Sequence, residues 1–231
     1  MPLRSALMFM DGNFVGREYL RGMLEASRVP ELLLAVGRIT EASIAIEQER
    51  TGGLWDPPPI PEDANLLRFE SLKDPALWRA VSDAGIDVVV QGGVGILKPE
   101  MIAVPRIGFL NVHPGRLPFY RGNSCPEWAL LNGDEIWFTA HLIDAGIDTG
   151  PVVLERRYVY PDDWNYFMMR ANLYAEAAKT VVAAIAAIAA ADDAGVPLAR
   201  PQEELGARYW PRIPESDLAI ARATLPRTSA V

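Results

Sequence analysis

The chain has 231 residues, half of them hydrophobic and 23% charged, which supports a sizeable core and argues against disorder. The formal net charge of −8 argues against a nucleic-acid surface as the main working face, and the single cysteine excludes an intramolecular disulfide and a zinc framework. The N-terminus shows no signal peptide, and the longest apolar run, Val181–Ala191, is shorter than the roughly 20 residues of a membrane span. We therefore expect a soluble, cytoplasmic protein that does not associate with membranes.

The first part of the chain predicts strands that alternate with helices. Helices are expected over Phe14–Leu24, from its apolar spacing, and over Asp74–Ala84, with Asp74 as the N-cap and Pro75 in the first turn. Gln48–Asp63 contains two consecutive glycines and three consecutive prolines, which predicts an exposed excursion. Four apolar runs predict strands: Ala6–Met10, Leu32–Val36, Asn65–Phe69 and Val88–Gln91.

The second part continues the pattern with three more strands and a long helix. Strands are predicted at Ile107–Val112, Phe138–Ile143 and Pro151–Val159, and a helix at Trp164–Ala191. This alternation predicts an α/β fold with a mostly parallel sheet and helices on both faces, with ligands at the carboxyl ends of the strands. We expect a catalytic domain over residues 1–195 and a Pro-rich extension over 196–231 that packs on the core or on a second subunit.

The residues suited to chemistry concentrate in residues 108–151. Asn111 and His113 lie two apart at the end of a predicted strand, so their side chains share one face. Histidine can move a proton near neutral pH, and a carboxamide can stabilise an oxygen that gains negative charge. Asp148, in a loop with Gly146 and Gly150, is the candidate carboxylate to orient the imidazole. The set lacks an obvious nucleophile.

At these residues the chain resembles the formyltransferase family. LNVHPGRLPFYRG (110–122) and TAHLIDAGIDTGP (139–151) are similar to the two signatures of that family, in the right order. The resemblance implies a Rossmann-like formyltransferase fold and 10-formyltetrahydrofolate as donor. It also implies that Asn111 polarises the formyl oxygen, that His113 moves the proton and that Asp148 supports His113. Many members carry serine where this chain has Gly115, which bears on the hydrogen bonding of that loop.

The resemblance also implies a folate-binding side. GVGILKPEMI (93–102) is similar to the folate loop of the family, which puts Gly95, Ile96 and Leu97 near the pterin. The loop from Asp144 to Asp148 would close over the pterin from the other side. Four of its residues complete the implied folate contacts: Asp144, Ala145, Gly146 and Ile147.

Several residues keep two interpretations. His141 either supports the site or packs in the core. Tyr120 and Arg121 either bind an anionic acceptor or form an ordinary surface turn. Asn111 and Asp148 could each simply cap a turn, but they come as a set with His113. Two histidines and an aspartate match no common metal motif, so we expect no metal.

The acceptor is inferred by elimination among the branches of the family. The tRNA-directed branch implies a C-terminal domain of about one hundred residues, and only about 35 follow Val196, too few for a domain. The glycinamide ribonucleotide branch implies a Gly-rich phosphate turn, which MDGNFVGREYL (10–20) lacks. The compact length and the tail RYWPRIPESD (208–217) resemble the sugar N-formyltransferases.

We therefore expect small-molecule substrates, a folate and a nucleotide-linked amino sugar, and no nucleic acid. Glycinamide ribonucleotide or another small amine is the alternative acceptor. A protein of another class, which binds folate or a nucleotide sugar without catalysis, is the alternative function. A homodimer is the expectation from the resemblance.

Overall fold

The computed structural model describes residues 2–57, 59–62 and 64–225. The predicted excursion therefore includes two residues outside the described ones, Pro58 and Asp63, and the predicted extension includes residues 226–231. The strands and helices follow one another along the chain as β1 (Ser5–Asp11), α1 (Phe14–Glu25), β2 (Leu32–Arg38), α2 (Glu41–Arg50), β3 (Leu66–Phe69), α3 (Pro75–Asp83), β4 (Val88–Gln91), α4 (Pro99–Ile102), β5 (Gly108–His113), β6 (Arg121–Gly122), α5 (Cys125–Asn132), β7 (Trp137–Leu142), β8 (Val152–Arg157), α6 (Tyr166–Ala194), β9 (Tyr209–Trp210) and α7 (Glu215–Ala223).

Seven strands form the main sheet, in the order β3-β2-β1-β4-β5-β7-β8. The pairs from β3 to β5 are parallel, whereas β7 is antiparallel to both β5 and β8. Buried parallel strands need apolar side chains on both faces, which explains the continuous apolar runs of β1 and β4. The predicted α/β class with a mostly parallel sheet is confirmed.

Helices cover both faces of this sheet. Along β1 the side chains alternate, so that Leu7 and Phe9 enter one core cluster and Ala6 and Met8 enter the other. The larger cluster takes apolar residues of α1, α5, α6 and α7. The smaller cluster lies on the opposite face and takes residues of α3. On β5 the same alternation places Phe109 with the smaller cluster and Leu110 with the larger one.

The long helix α6 is long and apolar enough to cross a membrane by length and composition. In this fold it is the central helix of the larger core, where Met169, Leu173 and Val181 have no exposed surface. Its small residues let α1 approach closely, because a Cβ atom added to Gly22 would lie only 2.7 Å from Ala178 Cβ. Burial in a protein core accounts for the apolar character of α6.

Local signals predicted α3 well and missed helices that lack such signals. α3 begins at Pro75, and the Asp74 carboxylate accepts a hydrogen bond from Ala76 N at 2.8 Å. α2 was not predicted, and it has no buried residue to give it a periodic apolar face. α5 was not predicted either, and it follows Ser124, a residue in the left-handed region whose side chain caps nothing.

The prediction of an exposed excursion at residues 48–63 is wrong at Trp55. Its indole is buried, stacks on Tyr174 with ring centroids 4.9 Å apart, and donates a hydrogen bond to Glu18. Glycine and proline predicted the turns of this segment, but they carry no information on where its one large aromatic side chain packs.

The segment after α6 returns to the rest of the fold. Arg200 pairs with Val152 beside the sheet, and β9 pairs with β6 in a separate two-stranded sheet. Leu218 and Ala221 of α7 are buried in the larger core. The segment therefore packs on the core, while the domain boundary at residue 195 stays a prediction.

Candidate active site

Asn111, His113 and Asp148 meet on one face of the sheet. Asn111 and His113 lie two residues apart on β5, so their side chains point to the same face. His113 Nδ1 lies 3.5 Å from Asp148 Oδ2. The loop that carries Asp148 leaves β7 beside Phe109, where Ile143 N donates to Phe109 O. It then turns back along β5 to reach His113. The structure thus brings together the three residues predicted from the sequence, and their catalytic role stays a prediction.

The ring of His113 is oriented mainly by a backbone carbonyl. His113 Nε2 lies 2.6 Å from Tyr120 O, and a carbonyl can only accept a hydrogen bond, so Nε2 carries a proton. Any further proton that the ring takes up lies on Nδ1, on the side of Asp148. Sequence reasoning assigned the orientation of the ring to Asp148 and missed Tyr120 O, because a backbone atom leaves no signal in the residue type.

Gly115 makes room for this contact. A Cβ atom at Gly115 would lie 2.6 Å from Tyr120 O and 2.7 Å from His113 Nε2, closer than real Cβ contacts. The Gly115 carbonyl accepts a hydrogen bond from Thr139 Oγ1 at 2.7 Å, which fixes the turn after β5 against β7. Glycine at position 115, where many members of the family carry serine, therefore permits the close approach of Tyr120 O to His113.

His141 belongs to the same site. Its Nδ1 lies 3.2 Å from the Leu142 carbonyl, so Nδ1 carries the proton and Nε2 is left to accept a hydrogen bond from the Asn111 amide at 3.1 Å. Burial lowers the pKa of His141, while the Asp148 carboxylate, 3.7 Å from Nε2, acts in the opposite direction. A neutral His141 thus orients Asn111, and the second amide N–H of Asn111, which has no partner among the described residues, can donate to a ligand.

Asp148 has an unusual backbone conformation. Its φ is +55°, in the left-handed region, where aspartate is one of the better tolerated residues apart from glycine. Gly122 N donates to Asp148 Oδ2 at 2.8 Å, which holds the carboxylate in place. Gly150 leaves no room for a side chain, since a Cβ there would lie 1.8 Å from Leu142 O. Gly150 thus closes the loop onto its own strand.

Tyr120 and Arg121, proposed from the sequence as acceptor contacts, are both engaged inside the chain. The Tyr120 hydroxyl bonds to Asp134 and accepts from Asn132 Nδ2 at 3.0 Å. Burial, with the bond to Asp134, raises the pKa of Tyr120 to about 12. The Arg121 guanidinium is buried and donates to Gln202 and Glu204. The structure gives both side chains a structural role, and their contact with an acceptor stays a prediction.

Two loops on either side of β5 present apolar side chains to solvent. Ile96, after β4, is 83% exposed, and Ile147, after β7, is 53% exposed. Gly95 has φ +86° and no atom within 4 Å of an added Cβ, so the loop is open at this point. Leu97, in contrast, is buried in the smaller core cluster. The exposed pair suits a flat, largely apolar ligand.

The second of these loops is held by its own hydrogen bonds. Asp144 Oδ1 accepts from Gly146 N at 3.0 Å and from Thr149 Oγ1 at 2.6 Å. Asp144, Ala145 and Gly146 are therefore shaped as a turn that carries Ile147 and Asp148. Their contact with a ligand stays a prediction.

A cleft of about 480 Å³ lies beside the three residues, next to Pro114 and Gly122. Arg50, Arg170 and Arg212 line it, against Glu47 as the one carboxylate, so the walls are net positive. Arg212 has no ion-pair partner among the described residues, and Arg170 Nε has no hydrogen-bond partner there. Aromatic and polar residues line it as well, namely Asn13, Phe14, Ser43, Trp55, Asn123, Ser124 and Tyr174, and the remaining lining residues are apolar: Val15, Ile39, Ile44, Ile46 and Pro126.

In the part of the chain that the structure describes, no group of three or more His, Cys, Asp and Glu side chains is arranged to hold a metal ion. The expectation of a metal-independent site stays a prediction. The chemistry available here is proton transfer by His113 and Asp148 and hydrogen bonding by Asn111.

Comparison with known proteins gives one family. A family model described as formyl transferase matches residues 39–185. The methionyl-tRNA formyltransferase of Roseiflexus castenholzii is 33% identical over 155 residues, which cover 63% of this chain and 50% of that protein. The chain thus spans about half the length of the curated relatives that it matches.

Solved structures of low identity share the fold. A 4-N formyltransferase from Francisella tularensis is 14% identical with a TM-score of 0.61, covering 95% of this chain and 87% of that one. The formyltransferase PseJ from Anoxybacillus kamchatkensis was solved with UDP-4,6-dideoxy-4-formamido-L-AltNAc and tetrahydrofolate. It is 18% identical with a TM-score of 0.52, covering 90% of this chain and 85% of that one.

Proposed function

Because the chain belongs to the formyl transferase family, we propose that it transfers a formyl group from 10-formyltetrahydrofolate to the amine of a nucleotide-linked amino sugar. The observation that carries the proposal is the meeting of Asn111, His113 and Asp148 between two exposed apolar loops and a cationic cleft. The loops fit a folate donor, and the cleft fits an anionic acceptor.

Each residue of the site has a defined task in this reaction. The folate supplies the activated formyl group when it is bound. Asn111, whose amide is oriented by His141, donates its free N–H to the formyl oxygen as negative charge develops there. His113 takes the proton that the amine loses, at Nδ1 beside Asp148, and returns it to the nitrogen that leaves the formyl carbon. The new bond joins the amine nitrogen to the formyl carbon.

The donor side of the proposal rests on the two exposed isoleucines. Ile96 and Ile147 lie on loops that follow β4 and β7, the two neighbours of β5 in the sheet. A flat heterocycle between them would cover apolar surface that is otherwise in water, which is favourable by about 25 cal/mol for each Å². Gly95, Asp144, Ala145 and Gly146 would contribute backbone atoms to the same ligand.

The acceptor side rests on the charge and size of the cleft. Arg212 and Arg50 can contact the phosphates of a nucleotide, and the half-buried Phe14 can contact a ring. The volume of about 480 Å³ suits a ligand larger than a simple amine.

Two other acceptors, methionyl-tRNA and glycinamide ribonucleotide, must be compared directly. Methionyl-tRNA is included because the curated relatives reported above are methionyl-tRNA formyltransferases. The acidic net charge of −8 works against tRNA binding. Glycinamide ribonucleotide also carries a phosphate and an amine, so the cationic cleft is compatible with it too.

The experiment that tests the proposal is a panel assay. The protein is incubated with 10-formyltetrahydrofolate and, separately, with nucleotide-linked amino sugars, glycinamide ribonucleotide and methionyl-tRNA, and mass spectrometry identifies the product. We expect a nucleotide sugar to gain the mass of one formyl group. Formylation of glycinamide ribonucleotide or methionyl-tRNA alone would reject the sugar acceptor. No formylation of any acceptor, together with measurable folate binding, would favour a non-catalytic binding protein.

We also propose that the protein is soluble and cytoplasmic, as expected for an enzyme of folate chemistry, and that it forms a homodimer. Light scattering after size exclusion measures the mass of the particle against 25.4 kDa for one chain. A particle of one chain at all concentrations would reject the dimer.

A further inference from the structure

We propose that Gln202, in the segment between α6 and β9, is a positioning residue that holds Asp148 against His113. The catalytic meaning of this role rests on the proposed function. Gln202 lies outside the residues that match the family model, 39–185, and it was not singled out in the sequence.

The amide of Gln202 bridges the loop of Asp148. Gln202 Nε2 donates to Asp148 O at 2.9 Å and to Gly150 O at 2.7 Å, so one nitrogen binds both sides of the bend that carries Asp148. The first carbonyl belongs to Asp148, whose backbone is left-handed, and the second belongs to Gly150, two residues later. A left-handed conformation outside glycine is strained and persists only where the surroundings hold it.

Arg121 fixes which way the Gln202 amide points. The buried Arg121 guanidinium donates to Gln202 Oε1 through Nη2 at 2.8 Å and through Nε at 3.2 Å. Arginine only donates, so the oxygen of the amide faces Arg121 and its nitrogen faces the two carbonyls. All four hydrogen-bonding positions of the amide are therefore used.

The backbone next to Arg121 holds the side chain of Asp148. Gly122 N donates to Asp148 Oδ2, and Arg121 and Gly122 form β6, which pairs with β9. Tyr120, whose carbonyl orients His113, precedes them and stacks on Trp210 of β9. Residues 202 and 209–210 thus support both partners of the His113–Asp148 pair. Because of these contacts, a small displacement of the Gln202 amide would displace the Asp148 carboxylate.

The matched variants are Gln202→Glu and Glu204→Gln. Gln202→Glu keeps an acceptor for Arg121 but presents an oxygen to the carbonyls of Asp148 and Gly150, so the loop loses both donors. Glu204 also pairs with Arg121, at 2.9 Å, but it is exposed and touches neither carbonyl. Gln202→Leu, which removes all four hydrogen bonds, is a second variant in case Gln202→Glu folds poorly.

We expect Gln202→Glu to lower kcat at least ~10-fold, since a displacement of about 1 Å can cost a hundredfold in rate. KM for the acceptor should stay within about twofold, because the cleft residues are untouched. Glu204→Gln should keep the wild-type kcat. Wild-type kcat in both Gln202 variants, or an equal loss in Glu204→Gln, would overturn the proposal.

A measurement independent of activity separates this proposal from the proposed function. The chain has two histidines, and both lie in the site, so a spectrum of ¹⁵N-histidine-labelled protein reports on the site alone. We expect the His113 ring signals to shift in Gln202→Glu and to stay in place in Glu204→Gln. Unchanged His113 signals in both Gln202 variants would overturn the role of Gln202, even if the wild-type protein formylates none of the amines tested.

Discussion

At the scale of single residues, the site depends on where protons can lie. Tyr120 O fixes the tautomer of His113 and directs its free nitrogen to Asp148. The Leu142 carbonyl does the same for His141, which then accepts from Asn111. The residue types at 111, 113 and 148 were predictable from the sequence, because their chemistry and spacing are visible there. The two carbonyls were not, since every residue has one.

Gly115→Ala should lower kcat by displacing Tyr120 O from His113. The added Cβ would lie 2.6 Å from Tyr120 O, so the turn must shift and the ring loses its orientation. We expect a fall of about 10-fold to 100-fold, the range for a misplaced catalytic group. The rate is compared with that of Gly115→Ser in the same assay, with thermal melting of both as the check on folding. A wild-type rate in both variants would show that the contact is not needed.

His141 should contribute a loss of stability in acid. Burial lowers the pKa of His141 in the folded protein below the ordinary 6.5. At pH values between this lowered pKa and 6.5, the unfolded chain therefore binds more protons than the folded one. The free energy of unfolding should therefore decrease as the pH falls below about 6.5. From pH 8 to pH 5 the wild-type protein should lose about 2 kcal/mol more than His141→Gln.

Urea unfolding of both proteins at the two pH values measures this difference. Titrating groups far from His141 are common to the two chains and cancel in the comparison, whereas Asp148 and His113, which interact with His141, contribute to the measured difference. Equal losses in the two proteins would mean that His141 is not held neutral by its site.

At the scale of elements, the sequence predicts strands and helices that carry a pattern within one segment. It does not predict which distant segments pair with each other. β4 was predicted with its exact bounds, and α3 with its cap, because a buried strand and a capped helix carry their own signals. β6 and β9 have two residues each, and each pairs only with the other in its sheet. Arg121 pairs with Tyr209, which lies 88 residues later in the chain. No window of the sequence contains both partners, so neither strand could be predicted.

The donor loops give a prediction at this scale. Ile147→Ser should raise KM for 10-formyltetrahydrofolate by roughly 5-fold to 30-fold, which corresponds to the roughly 1–2 kcal/mol of apolar contact that is lost, while kcat changes little. Ile220→Ser on α7 is the matched control, because Ile220 is 57% exposed and Ile147 is 53% exposed. Steady-state kinetics with the donor varied would distinguish them. An equal KM for the two variants would remove Ile147 from the donor site.

At the scale of the whole molecule, the charge of the cleft differs from the charge of the chain. The formal net charge is −8, yet among the described residues the cleft next to Pro114 and Gly122 is lined by three arginines and one glutamate. The composition indicates only the total charge of the chain. The three arginines of the cleft come from α2, α6 and the segment after β9. The positive cleft could therefore be seen only once these distant parts of the chain are packed together.

Arg212→Gln should raise KM for an anionic acceptor about 10-fold, which corresponds to the loss of one charge-assisted contact. Arg79→Gln is the control, since Arg79 is an exposed arginine on α3, away from the cleft. The effect should shrink as salt is added, because an exposed cation is screened. If Arg79→Gln and Arg212→Gln gave the same KM, the cleft would not be the acceptor site.

If Asn111, His113 and Asp148 carry out formyl transfer, the rate of His113→Asn must be far below that of the wild-type protein. The wild-type and variant proteins are given 10-formyltetrahydrofolate and the acceptor identified in the panel, and the formylated product is measured over time. The removal of a general acid–base should lower kcat by a factor of about 100 or more. A correctly folded His113→Asn protein that formylates its acceptor at the wild-type rate would contradict the account.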